Sequence, residues 1–116
     1  MIHKLLIVLV NSDPIRPEQL VMPLFQATVA AALEYEVEIV LAGDCRRLAE
    51  PGLAAGCRIE NTDKTVYQLM QEAHRAGVRL TLCGTVAEPI AEIDTVIGDA
   101  QLIQAMMRDD VRVLTF

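Results

Sequence analysis

Apolar residues along the chain gather into short continuous runs, and the segments between them carry helical period. Five runs have strand length: Leu5–Val10, Val37–Ala42, Val78–Cys83, Ile93–Ile97 and Val111–Phe116. The first is almost unbroken, as befits a strand covered on both faces. Between residues 17 and 34, Leu20, Leu24, Ala27 and Ala31 share one helical face, and Pro23 belongs in a first turn, which sets the start near Met22. A short helical turn follows the second run, with Asp44 as its cap and Pro51-Gly52 as its end. Asp63 or Thr62 then caps a helix whose stripe is Val66, Leu69, Met70 and Ala73, and Gly77 suits its left-handed stop. A last helix is predicted from Asp99 to about Arg108, with Leu102, Ile103 and Met106 facing inward. Strand and helix alternate throughout. The pattern predicts one domain over residues 1–116, a three-layer α/β/α sandwich around a mostly parallel five-stranded sheet with right-handed crossovers.

Composition supports this reading and narrows the function. The chain is 53% apolar with no Trp, two Tyr and two Phe, so its core is aliphatic. A formal charge of −6, with Arg46-Arg47 as the one basic pair, argues against a nucleic-acid partner. The opening Met1-Ile2-His3-Lys4 and its apolar run are too short for a signal peptide, and Asn11-Ser12-Asp13-Pro14 follows without a small-residue cleavage site. No run is long enough to span a bilayer. The three cysteines, at 45, 57 and 83, give neither a disulfide framework nor zinc-type spacing, so no metal and no cofactor is expected, and a reducing cytoplasm fits.

In a parallel sheet the functional rim lies beyond the carboxyl ends of the strands. That rim holds Asn11, Ser12, Asp13, Asp44, Cys45, Cys83, Gly84, Thr85 and Asp99. Cys83 closes a strand and Gly84-Thr85 turns away from it, a setting in which backbone amides can favour thiolate over thiol. The blander reading, a strand-end cysteine acting as a small hydrophobe, is the commoner outcome on residue type alone. Cys45 is a candidate resolving thiol for Cys83, although a thiol without a role is commoner there. Cys57 reads as a packing residue. His3, His74, Glu88 and Glu92 read as surface groups, and the five methionines as core fillers. No Ser-His-Asp order and no phosphate-cradling glycine signature occurs.

Taken together, these pieces resemble the DsrE/DsrF-like family, including its YchN-like members. The resemblance rests on Asn11-Ser12-Asp13-Pro14 after the first strand, on Val37 through Gly43-Asp44, on Ala76-Gly77-Val78 leading to Cys83-Gly84-Thr85, and on the closing segments Ile93–Gly98 and Val111–Phe116. It implies a sulfur-relay protein in which Cys83 carries a persulfide between a donor and an acceptor protein. In that reading backbone amides around Gly84 and Thr85 would stabilise the thiolate, and Asn11 or Asp13 would shape the pocket mouth. It also implies trimers or hexamers. Val86 stands where related proteins often have a second cysteine, which excludes an adjacent dithiol, and Ile90-Ala91 replaces an Arg-Gly or Gly found in others. Two other functions remain open: an oligomeric small-ligand-binding module without catalysis, and a redox sensor pairing Cys45 with Cys83. A mean hydropathy of +0.34 and an uncovered edge strand at Val111–Phe116 independently favour a homo-oligomer.

Overall fold

Five β-branched and leucine-rich segments pair into one all-parallel sheet: β1 (Lys4–Leu9), β2 (Glu36–Leu41), β3 (Arg79–Cys83), β4 (Thr95–Ile97) and β5 (Val111–Thr115). Their order is β4-β3-β2-β1-β5 in the computed structural model, which describes residues 3–116. The beginning of the signal-peptide comparison, at Met1 and Ile2, lies outside the described residues.

Alternation along the strands divides the core in two. Ile7, Leu9, Ile39, Leu41, Leu80 and Leu82 point to one face, where α1 (Val21–Ala32) and α2 (Val66–Arg75) cover them with Leu24, Ala27, Met70 and Ala73. Leu6, Val8, Val40, Ala42 and Cys83 point to the other, under Leu102, Ala105 and Met106 of α3 (Asp99–Met106). The result is the expected three-layer sandwich.

Local details differ from the sequence pattern for physical reasons. Pro23 does sit in the first turn of α1, where its missing amide costs no hydrogen bond, and a separate 3-10 turn at Pro17–Gln19 precedes it. The cap of α2 is Thr65, not Asp63 or Thr62. Its hydroxyl accepts from Gln68 N while Gln68 Oε1 accepts from Thr65 N, a closed capping box. Asp63 is instead turned toward Arg58, and Thr62 bonds within its own turn. After β2 the chain forms a 3-10 segment, Gly43–Ala49, whose first turn contains Asp44 without a side-chain cap. Ile103, expected inside, is 58% exposed. The run assigned to α3 also ends sooner, and Arg108 pairs with Asp110 beyond it.

No helix joins β3 to β4. The connection from Gly84 to Asp94 packs Val86, Ile90 and Ile93 on the α1/α2 side. Asp94 ties its end to the sheet: its amide donates to Leu80 O, Oδ2 accepts from Leu80 N at 3.0 Å, and Oδ1 lies 3.0 Å from His74 Nε2. Burial opposes the charge of Asp94, yet the His74 contact, the Leu80 amide and nearby Arg79 outweigh it and hold the carboxyl below its ordinary range. Among the described residues, no helix is long and apolar enough to cross a membrane.

Candidate functional site around Cys83

Cys83 ends β3 in register with Ile97 of β4, and its side chain points to the α3 face. It is 5% exposed. Gly84 follows with φ of +111°, a conformation that side-chain-bearing residues rarely adopt, and this turns the chain across to the opposite face of the sheet. The absent side chain matters for a second reason. A Cβ on Gly84 would stand 2.8 Å from Cδ and 2.9 Å from Nη1 of Arg46, so glycine leaves room for that guanidinium beside the cysteine. Arg46 comes from the 3-10 segment after β2, and its Nε donates to Gly43 O at 3.0 Å. From the other side, β4 runs through Gly98 into α3 and delivers Asp99, whose Oδ1 accepts from Cys83 Sγ at 3.4 Å. Gln101 Oε1 accepts from Gly98 N and fixes this entry to α3.

The electrostatics differ from the amide-supported thiolate expected from sequence. The amide of Gly84 donates to Ile97 O at 3.0 Å, so it is committed to the sheet and not to the sulfur. Burial first, and then the hydrogen bond to Asp99 and its charge, push the Cys83 thiol above its usual range, while Arg46 pulls the other way. At rest the group is therefore a protonated thiol held between a carboxylate and a guanidinium. Such a thiol is shielded from indiscriminate oxidation, which needs thiolate and access. Its proton has an acceptor in hydrogen-bond contact, and the charge created by losing it has a cation nearby.

The other residues expected at the site do not gather here. Asn11 is exposed, and its amide donates to Phe116 O at the β5 side of β1. Asp13 bonds Ile15 N through Oδ1 and lies 3.5 Å from Arg16 Nε. Strand β2 separates both loops from β3, a gap of about 10 Å across two strand spacings. Thr85 is exposed and lines an open cleft of about 580 Å³ with Glu50, Pro51, Val86 and Glu88. Cys45 is fully buried in the α1/α2-side core, where Sγ donates to Ser12 O at 3.1 Å. Burial chiefly, with Asp44 and Asp13 adding to it, raises its pKa. Cys45 and Cys83 thus occupy cores on opposite faces of the sheet, and all three cysteines are free. Cys57 packs at the edge of the Cys45 core with Sγ 3.7 Å from Pro14 O. Glu92 accepts from Tyr67 Oη and Gln71 Nε2 on the α2 side, and Glu88 is exposed. Among the described residues, no group of three or more His, Cys, Asp or Glu is placed to hold a metal ion.

The residues that touch or flank the sulfur, Asp99 and Arg46, carried no role in the sequence reading. Both lie in rim segments, where Asp99 reads as the start of the last helix and Arg46 as half of a basic pair.

The chain superposes on the ychN protein from E. coli, seen in its crystal structure, with a TM-score of 0.70 and 21% identity, over 97% of this chain and 99% of that one. This is the DsrE/YchN-like fold. The likeness is one of fold, and it spans both chains almost end to end. No family model matches the chain, and no curated protein matches it. In the DsrE/YchN-like fold of this chain, Cys83 sits where three consecutive strands of the sheet order, β4, β3 and β2, each contribute to one spot: Asp99 after β4, the thiol on β3 and Arg46 after β2.

Proposed function

We propose that the protein is a cytoplasmic sulfane-sulfur carrier of the DsrE type, with Cys83 as the residue that holds the sulfur. The observation that carries this reading is the placement of the Cys83 thiol between its proton acceptor Asp99 and the Arg46 guanidinium. In loading, Cys83 passes its proton to Asp99 and its sulfur attacks the outer sulfur of a donor persulfide. One S–S bond forms, the donor's S–S bond breaks, and the electron pair leaves with the donor thiolate, so no external oxidant or reductant is consumed. In delivery, an acceptor thiolate attacks the outer sulfur of Cys83–S–S⁻ or its protonated form, and Cys83 leaves and recovers a proton. A persulfide is a stronger acid than its parent thiol, so the loaded group ionises more readily than the free thiol and its anion gains from Arg46. Arg46 is exposed, so a donor can reach the site from its side. Donor and acceptor are proteins bearing a persulfide and a thiol, respectively.

Peptide mass mapping after exposure to a low-molecular-weight persulfide tests the assignment. The Cys83 peptide is expected to gain one sulfur atom ahead of the Cys45 and Cys57 peptides, and Cys83→Ser to abolish that gain. Modification of Cys83 no faster than Cys57 would sink the proposal.

A further inference from the structure

Helix α1 borders a groove that the sulfur chemistry does not use. Its twelve residues, Val21 to Ala32, include no charge, yet only one face is buried. On the other, Met22 (57% exposed), Phe25 (61%) and Val29 form a stripe that continues into Leu33 (66%). This stripe walls one side of a groove of about 600 Å³ whose other side is Leu5 of β1 and Arg112 of β5. The charge of these walls is all of one sign and all at one end. Lys4 and Arg112 stand at the start of β1 and β5, in register with Val111 and Leu5, and Tyr35 joins them from the start of β2. Lys4 is engaged by Glu38 at 2.6 Å, whereas Arg112 has no ion-pair partner among the described residues.

We infer that this groove binds a single-chain amphiphile with an anionic head, a fatty carboxylate being the simplest, its head on Arg112 and its chain along α1. The site is separate from the sulfur site. Cys83 ends β3 on the α3 face, while the groove lies on the α1 face at the start of β1 and β5. Sites for small ligands are concave, mostly apolar and a few hundred Å³ in volume, with a few polar groups that fix orientation. This groove has that size and that division of labour. A free guanidinium offers paired donors to a carboxylate, and Tyr35 adds a hydroxyl in the same wall. In a chain of net charge −6, walls with two cations and no anion are a place where an anionic head meets least repulsion. Carbonyls at the end of α1 would oppose such a head, but those of Val29, Ala30 and Ala31 are already taken by the amides of Leu33, Glu34 and Tyr35. From Met22 to Leu33 the helix advances about 16 Å, which sets the length of alkyl chain the stripe can cover.

Calorimetric titration of the full chain with saturated carboxylates of rising length, each below its micelle concentration, tests the inference. Affinity is expected to rise about two- to fourfold per added methylene and to level off once the chain outgrows the stripe. The primary alcohol and the primary amine of equal length should bind about tenfold more weakly or worse. Arg112→Gln is expected to lower carboxylate affinity about tenfold and to leave that of the alcohol unchanged. Phe25→Ser should weaken both. Both substitutions fall at exposed positions, and an unchanged urea midpoint checks that each variant is folded. No binding of any chain length overturns the inference, as does equal affinity for acid, alcohol and amine. Full carboxylate affinity in folded Arg112→Gln also overturns it. So does binding to anionic phospholipid vesicles without binding of the monomeric acids, which would assign the stripe to a membrane surface.

Discussion

Exchanging Asp99 for asparagine is expected to speed alkylation of Cys83 at neutral pH by about three- to tenfold, and Arg46→Ala to slow it. Three influences act on the thiol: burial, the Asp99 carboxylate at 3.4 Å, and the opposing Arg46. Asparagine keeps the size of the side chain and leaves burial unchanged, but it removes the negative charge. The thiolate is then easier to form, and the pH profile of alkylation moves back toward that of an ordinary cysteine. A thiolate of lower pKa is a somewhat weaker nucleophile, so the rate rises by less than the thiolate fraction does. In the unaltered protein the profile lies on the alkaline side, because a raised pKa delays thiolate formation as pH rises. Iodoacetamide kinetics across pH measure both shifts. Identical profiles for the two proteins would show that Asp99 does not govern the thiol.

A second large effect is expected away from the thiol's rim. Lys4 of β1 and Glu38 of β2 form a 2.6 Å ion pair on the α3 face, their side chains 19% and 12% exposed. The buried hydroxyl of Thr81 on β3 donates to the other oxygen of Glu38. Three adjacent strands are thus joined by one carboxylate. Lys4→Met is expected to cost about 2–3 kcal/mol, somewhat less than for a fully buried pair because some solvent still reaches Lys4. The loss comes from leaving the Glu38 charge poorly solvated, not from losing a strong net attraction. Adding Glu38→Leu and Thr81→Val should therefore recover most of the stability, since an apolar replacement removes the stranded polar groups together. Urea unfolding resolves the difference. A triple variant no more stable than Lys4→Met alone would contradict this explanation.

Much of the scaffold was legible because a strand buried on both faces writes its length directly into an apolar run. Leu5–Val10 and Val37–Ala42 each match a strand displaced by one residue, since Lys4 and Glu36 extend the ladder with polar side chains that an apolar count passes over. The stripe of α2 was equally plain. Its cap was not, because Asp63, Thr62 and Thr65 are all competent acceptors and only the closed box with Gln68 selects Thr65. Ile103 was misplaced because α3 is short and covers one face by itself, which leaves an apolar side chain outside that a longer helical layer would have buried. At the site, the strand-end cysteine and its turning glycine could be read from Cys83-Gly84. Their partners could not, since Asp99 and Arg46 reach the sulfur only through the strand order β4-β3-β2, and one-dimensional spacing does not contain that order. Cys45 illustrates the same gap: it follows β2 at the rim in sequence, yet the 3-10 segment rolls its sulfur into the core beneath Ser12.

The carrier role of Cys83 is tested most directly by single-turnover transfer of labelled sulfane sulfur. Protein is loaded from a labelled donor persulfide, separated from donor, and mixed with an acceptor thiol. The label is expected to remain with the unaltered protein through the separation, to be released by a reductant, and to pass to the acceptor. Cys45→Ser and Cys57→Ser should retain this behaviour, while Cys83→Ser should hold and pass none. Equal transfer by Cys83→Ser, or no label retained by the unaltered protein, would contradict a relay through this thiol.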